Sequence, residues 1–416
     1  MGKTQWRAAC ALGCLAAAIA GQPAMAGPLT FGDALAKARA GAPSVKAKTL
    51  SADATRSARI AAGQLPDPKL ALGIDSFPIS GPLAFQPSRD NFTWARIGAS
   101  QDIPNLAKRR AQRSRADADI ATADAGTLVE VRIVEVQTAI AWINLAYAER
   151  RLVALDDVLA RLGRLVRTSP SAVASGSARP AQTLAGRAAL ARLQDRRDEL
   201  VSAVTRAKAS LTRWTGEADP EIIGAMPETV VDPVHLRAAL ERHPSLILLT
   251  ARSGRADADL RLAEADRRPD FGIDLSYERR DPRFGDYVSA GVTIGLPLFK
   301  KHRQDPVIIA RAADAGSARA DADAALRAMI ADLDAGLADH VMHHAQWIRA
   351  RDVLQPLAQE RVTLETASYA AGRASLIDLV DAHVALADAI LATLDREATY
   401  ATDGIQLNLL YGSAGR

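Results

Sequence analysis

The chain states one pattern twice, and that repetition limits the folds open to it. The stretch LTFGDALAKARAGAPSVKAKTLSADATRSARIAAGQLPDPKLALGID near the start returns in the middle as VDPVHLRAALERHPSLILLTARSGRADADLRLAEADRRPDFGID. Each copy leads to a glycine-bearing, strand-like run that ends at a proline and a basic cluster. In the first copy it is Gly98 to Pro104, then Lys108, Arg109 and Arg110; in the second it is Gly291 to Pro297, then Lys300, Lys301, His302 and Arg303. Helix, strand, loop, strand and a very long helix therefore recur in one order. A period of about 200 residues is too long for a solenoid. The halves, 27–230 and 231–416, read as an old duplication that forms a single symmetric body.

Ahead of the first repeat, residues 1–26 read as a signal peptide. Lys3 and Arg7 supply the charged region, Ala8 to Gly21 the apolar region, and Ala24-Met25-Ala26 the cleavage site. The apolar run is too short to span a bilayer as a helix. Cys10 and Cys14 are the only cysteines and both fall in this leader. Ala11-Leu12-Gly13-Cys14 fits a lipoprotein site poorly, so no lipid anchor is expected. The mature chain then offers no disulfide, thiolate metal ligand or cysteine nucleophile. Without Lys3 and Arg7 the formal charge of +4 falls by two, which leaves nucleic-acid binding without electrostatic support. No later stretch reaches the roughly 18 consecutive apolar residues of a transmembrane helix. An exported chain of this kind belongs to the periplasm, the medium or the outer membrane, and the strands decide among them.

Phe271, Ile273, Leu275 and Tyr277 alternate with Gly272, Asp274, Ser276 and Glu278. After a short polar loop, Val288, Ala290, Val292, Ile294 and Leu296 alternate with Ser289, Gly291, Thr293 and Gly295. Period two with one apolar and one polar face predicts a half-buried antiparallel hairpin. Strands of roughly ten residues with this pattern also build outer-membrane barrels. The first copy carries Leu70, Leu72 and Ile74, then a second strand over Asn91 to Ser100. Half of the chain's aromatics fall in or beside these hairpins (Phe77, Phe85, Phe92, Trp94, Phe271, Tyr277, Phe284, Tyr287 and Phe299), as interface girdles require. A soluble hairpin packed on helices would show the same alternation. Four strands cannot close a barrel, however, and lipid tolerates no open sheet edge. If the strands are in the membrane, several chains must share one barrel.

From Asn105 to Thr168 there is no proline, and Ala, Leu, Arg, Asp, Glu and Val dominate. About 60 residues make a helix about 90 Å long. A turn over Ser169 to Pro180 and a return helix to Trp214 follow. The second half predicts a helix from Pro306 to Ser368 kinked at Pro356, a turn at Gly372 and a return helix to Leu410. Only 4% of residues are aromatic while 48% are hydrophobic, and Ala-rich surfaces suit coiled-coil packing.

Asp378 and Asp381 stand at i, i+3 on one face of the second return helix. Acidic residues at a helix start also simply answer the macrodipole. His340, His343 and His344 stand at i, i+3, i+4, a spacing able to share a divalent metal; histidines without metal are the commoner outcome of such a cluster. His235, His243 and His383 are scattered and read as structural. No nucleophile–base arrangement, phosphate loop or cofactor motif is present, so no enzyme is expected.

The whole mature chain resembles the outer-membrane efflux protein family, the TolC-like channels. The resemblance rests on the repeat order, on QLPDPKLALGID, on GLPLFKKHRQDPVIIARA, and above all on YAAGRASLIDLVDAHVALADA from Tyr369 to Ala389. It implies a mixed α+β membrane protein: a long antiparallel α-helical coiled-coil barrel joined to a trimer-shared twelve-stranded transmembrane β-barrel, four strands per chain. It further implies a Gram-negative outer-membrane location, a periplasmic tunnel of about 100 Å, and work as a passive duct beside a periplasmic adaptor (a membrane fusion protein) and an inner-membrane RND-type pump. Three copies of Asp378 and Asp381 would form acidic rings at the tip, which select cations and bind divalent ions, with Tyr369, Gly372 and Arg373 around the gate. Asp274, Ser276 and Glu278 would face the lumen. The family pattern can also place an arginine between Gly372 and Asp378; here Arg373 stands one position early and Ala374 fills its place, so that latch is not carried over. The surroundings of Pro104 and Pro297 are most similar to outer-membrane components of heavy-metal efflux systems, although drug-efflux and secretion members share the architecture. A periplasmic coiled-coil adaptor or scaffold is the alternative, opposed by the paired hairpins.

Overall fold

A computed structural model describes residues 27–174 and 180–412. The leader read over 1–26 and residues 175–179 of the first turn lie outside the described residues. A two-residue strand β1 (Pro28–Leu29) precedes helices α1 (Phe31–Gly41) and α2 (Pro43–Ala61). Strands β2 (Lys69–Asp75) and β3 (Trp94–Ile103) lead into helices α3 (Leu106–Ala174) and α4 (Pro180–Thr215). A short β4 (Glu221–Ile222) and helices α5 (Pro233–Ala239) and α6 (Pro244–Ala265) open the second half. Strands β5 (Asp270–Arg279) and β6 (Tyr287–Gly295) follow, then helices α7 (Gln304–Arg349), α8 (Gln355–Ala370) and α9 (Leu376–Tyr411).

Length dominates the helical part. With 69 residues, α3 spans about 100 Å. It continues past the end expected at Thr168 and through Pro170; proline removes one N–H donor from a helix, which weakens it without ending it. The kink expected at Pro356 is a π-helical turn over Ala350–Leu354, between α7 and α8. Pro356 cannot donate to the carbonyl four residues back, and the widened turn before it absorbs the missing bond.

Two apolar cores hold α3, α4 and α9 together. The central one gathers Leu29, Leu35, Trp142, Ile143, Tyr147, Leu211 and Ile405. Trp142 is fully buried, meets Phe31 edge to face at 5.5 Å, and donates Nε1–H to the Leu29 carbonyl at 3.2 Å. That bond fixes the N-terminal segment on the long helix, where β1 pairs in parallel with β4. The second core, of Leu155, Leu162, Leu193, Leu376, Val380 and Leu391, runs toward the turn between α8 and α9.

The four longer strands form one antiparallel sheet in the order β2-β3-β5-β6. The β3–β5 pairing, from Ala95↔Arg279 to Ile103↔Phe271, joins the two repeats in the middle of the sheet. Both outer strands, β2 and β6, have a free edge. At the loop end of the sheet the two connections clasp each other. Arg280 donates to the Asn91 carbonyl at 3.2 Å and side chain at 3.0 Å, and Arg283 donates to the Ser88 carbonyl at 2.6 Å.

Candidate functional site

The sheet separates its residues by chemistry. Directly paired residues share a face, so the register Leu72↔Ile97, Ile97↔Tyr277 and Tyr277↔Val288 carries one apolar row across all four strands. Parallel rows link Leu70, Ala99, Leu275 and Ala290, then Ile273 with Val292 and Phe271 with Ile294. This face is bare: Leu72 is 71% exposed, Leu275 57% and Val292 69%. The opposite face carries Arg96, Asp274, Ser276, Glu278 and Ser289. There Glu278 accepts from Ser276 at 3.0 Å and Ser289 at 3.1 Å, and Arg96 pairs with Asp75 at 3.1 Å. Asp274 lies over Gly291, where a Cβ would stand 2.6 Å from its carboxylate oxygens; glycine makes room for that side chain.

The aromatics divide differently from a pair of girdles. Trp94 pairs with Asp75 and Tyr287 with Glu278, which puts both on the polar face; Tyr287 lies under the Arg280 guanidinium, 4.0 Å from ring centre. Placing the second strand from Asn91 rather than from its observed start at Trp94 hid this, because membership of a face depends on pairing rather than on composition.

At the far end of the helices, α8 closes in a glycine-dependent stop. Gly372 takes φ +70°. Its N–H bonds to the Tyr369 carbonyl at 3.0 Å and that of Arg373 to the Ser368 carbonyl at 2.8 Å, the paired bonds of a Schellman ending. Tyr369 packs on the second core, whereas Gly372 and Arg373 are exposed. Ser375 then starts α9 with a capping box. Its Oγ accepts from the Asp378 N–H at 3.3 Å, and the Asp378 carboxylate accepts from the Ser375 N–H at 2.9 Å and Oγ–H at 2.7 Å. Those bonds hold the Asp378 carboxyl below its usual range. Asp378 and Asp381 are both exposed on the first turns of α9. Asp378 thus has a capping role that its spacing alone did not reveal; the signal was the Ser375-x-x-Asp378 pattern.

This cap gives a local prediction. Ser375→Ala should cost about 1 kcal/mol and speed amide exchange over residues 376–380. Because Asp378 titrates below its unfolded value, its contribution is complete above the ordinary carboxylate pKa and fades as pH falls through the lowered one. Protection factors at the tip, corrected for the slower intrinsic exchange in acid, should therefore fall in acid in the parent and change less in the variant; equal falls in both would refute the cap.

With this geometry in place, residues 235–413 match the profile of the family described as Outer membrane efflux protein. The chain carries an outer membrane efflux protein domain. Among curated proteins no sequence match was found. Among solved structures, a membrane protein from Pseudomonas aeruginosa is similar at a TM-score of 0.80 and 15% identity, over 93% of this chain and 91% of that one. CusC is similar at 0.78 and 14%, over 92% of each chain. The Campylobacter jejuni CmeC outer membrane channel is similar at 0.77 and 13%, over 92% of this chain and 85% of that one. The fold of such channels therefore extends over both halves.

The histidine cluster of α7 packs against α9. His340 is buried and stacks on Tyr400 at 4.6 Å, while His344 meets Tyr400 at 4.9 Å and Trp347 at 5.9 Å. His343 Nδ1 pairs with Asp403 at 2.5 Å. Burial lowers the pKa of His340, which favours the neutral ring that stacks. Among the described residues, no group of three or more His, Cys, Asp or Glu is placed to hold a metal ion. The spacing puts three rings on one helix, but α9 supplies aromatic and carboxylate partners that draw them to packing. His243 caps α6, its Nδ1 accepting from the Ser245 N–H at 3.1 Å, in keeping with a structural role.

The strand–helix junction holds a residue that carries more than its position suggested. Asn105 is buried and caps α3, its Oδ1 accepting from the Lys108 N–H at 2.8 Å. Its own N–H and Nδ2 donate to Asp270 at 2.8 and 2.9 Å. One asparagine thus ties the end of the first hairpin to the beginning of the second.

Proposed function

We propose that the chain is the outer-membrane exit duct of a tripartite efflux system, working as a homotrimer. It receives substrate from a periplasmic adaptor and an inner-membrane RND-type pump, which supplies the energy. The observation that carries this reading is the sheet. An exposed apolar face continuous over four strands is a liability in water and a requirement in lipid. Its two free edges can stay in lipid only if other copies pair with them. The long helical hairpins supply a periplasmic extension of about 100 Å.

On this reading the two repeats, 27–230 and 231–416, form one channel body. Asp274, Ser276 and Glu278 wet the lumen, and Asp378 and Asp381 form the acidic rings of a gate bordered by Tyr369, Gly372 and Arg373. Heavy-metal cations are the proposed cargo, supported by the resemblance around Pro104 and Pro297. The duct does no chemistry of its own.

Extracted protein should fractionate with the outer membrane and run as a detergent-stable trimer. A soluble periplasmic monomer would refute the duct and favour the scaffold. In single-channel recordings, Asp378→Ala/Asp381→Ala should weaken block by divalent cations, because carboxylate rings that bind the ion are removed. Unchanged block would take both residues out of the gate.

A further inference from the structure

The two repeats part company where strand gives way to helix. In the first, two of the three cations, Lys108 and Arg109, turn inward, while Arg110 stays exposed. Lys108 Nζ pairs with Asp266 at 2.8 Å and Asp270 at 3.4 Å, and Arg109 Nε donates to the Gly63 carbonyl at 2.9 Å. In the second, the corresponding turn from Leu296 to Arg303 faces outward. Lys300, Lys301, His302 and Arg303 are all exposed, and among the described residues none of their side chains forms a hydrogen bond or ion pair. Beside them, Leu296 is 60% exposed, Leu298 74% and Phe299 68%. Leu296 directly follows β6, two residues beyond Ile294 of the apolar face. The turn is not loose. Leu298 N–H bonds to the Leu296 carbonyl at 3.0 Å, and the N–H groups of His302 and Arg303 to the Phe299 carbonyl at 3.1 Å each. Pro297 to His302 line a shallow depression of about 570 Å³.

An ordered turn with bare apolar side chains beside unpaired cations, at the foot of a membrane-facing sheet, has the chemistry of a bilayer boundary. Apolar groups there enter the acyl region, while lysine and arginine reach the phosphate level. We propose that this turn binds the headgroup of an anionic glycerophospholipid. Leu296, Leu298 and Phe299 enter the acyl layer, and Lys300, Lys301 and Arg303 contact the phosphate. The inference rests on the duct reading, because it needs the sheet in a bilayer. Continuity with the apolar face and complementary charge select lipid over another protein, since among the described residues the cluster has no carboxylate partner. With Lys108 and Arg109 engaged, the first repeat leaves only Arg110 of its cluster exposed, against Lys300, Lys301 and Arg303 in the second, so the site is assigned to the second repeat.

The test uses the purified full-length trimer in detergent, titrated with phosphatidylglycerol or phosphatidylcholine and read by native mass spectrometry. Wild type should retain phosphatidylglycerol in preference to phosphatidylcholine. Lys300→Gln/Lys301→Gln/Arg303→Gln should weaken that retention about tenfold or more, as expected for lost cations at an anionic surface, with the trimer intact. Lys300→Arg/Lys301→Arg should restore it. Equal retention in wild type and the glutamine variant would overturn the site, as would an absence of headgroup preference in wild type. Dissociation of the glutamine variant into monomers would make the turn a contact between copies instead and overturn it too. Single-channel conductance of the wild type separates the two readings: a conducting trimer without lipid preference loses only this inference, whereas a chain that forms no trimer loses both.

Discussion

Leu275→Arg should destabilise the membrane-inserted protein by about 2–4 kcal/mol, the cost of a charge on the lipid face near mid-bilayer. Ser289→Arg, on the other face of the same sheet, should stay within about 0.5 kcal/mol, as surface substitutions usually do. Leu275 sits inside its strand, paired with Ala99 and Ala290, and is more than half exposed; without lipid it would lose little by becoming charged. Ser289 donates to Glu278 at 3.1 Å, so an arginine there gains a carboxylate within reach. Unfolding by denaturant after refolding into vesicles would measure both. Comparable small costs would mean that the apolar face does not meet lipid.

Trp142→Ala should cost about 3–5 kcal/mol, the range for truncating a large buried aromatic. The indole is the joint at which α3, α1 and the N-terminal strand meet, through Phe31 at 5.5 Å and the Leu29 carbonyl at 3.2 Å. Trp142→Phe keeps most of the apolar contact and loses the hydrogen bond, and should cost about 1–2 kcal/mol. The Leu29 carbonyl keeps the Ile223 N–H as a partner at 3.3 Å, which moderates that loss. Thermal unfolding of the two variants should therefore separate clearly. An alanine variant as stable as the phenylalanine one would show that the central core does not depend on this side chain.

Much of the fold was legible because it follows from periodicity and from the absence of breakers. Alternation from Phe271 to Tyr277 and from Val288 to Ile294 put the right residues on a shared face, and the proline-free stretch after Asn105 identified the long helix. Less could be read where the answer depends on a partner far along the chain. His340, His343 and His344 looked able to converge on an ion, yet Tyr400 and Asp403 of α9 decide their orientation. Trp94 and Tyr287 were grouped with the membrane aromatics, but Asp75 and Glu278 opposite them set their face. At the tip, Asp378 was open to two readings from spacing alone. The bonds with Ser375 show the local one to operate, and a capped carboxylate still exposed to solvent can also contribute charge to a ring.

Strand direction has a consequence for how copies join. The order β2-β3-β5-β6 is antiparallel at every step, and an even number of strands means that β2 and β6 point opposite ways. Two copies standing upright in the same bilayer, the last strand of one beside the first of the next, therefore meet antiparallel, whereas an odd number would force a parallel seam. That seam joins a second-repeat strand to a first-repeat strand, as β5 and β3 already do inside the chain. A head-to-tail ring then repeats one kind of hydrogen-bonded joint, alternately within a chain and between chains, and such heterologous contacts end only by closing on themselves.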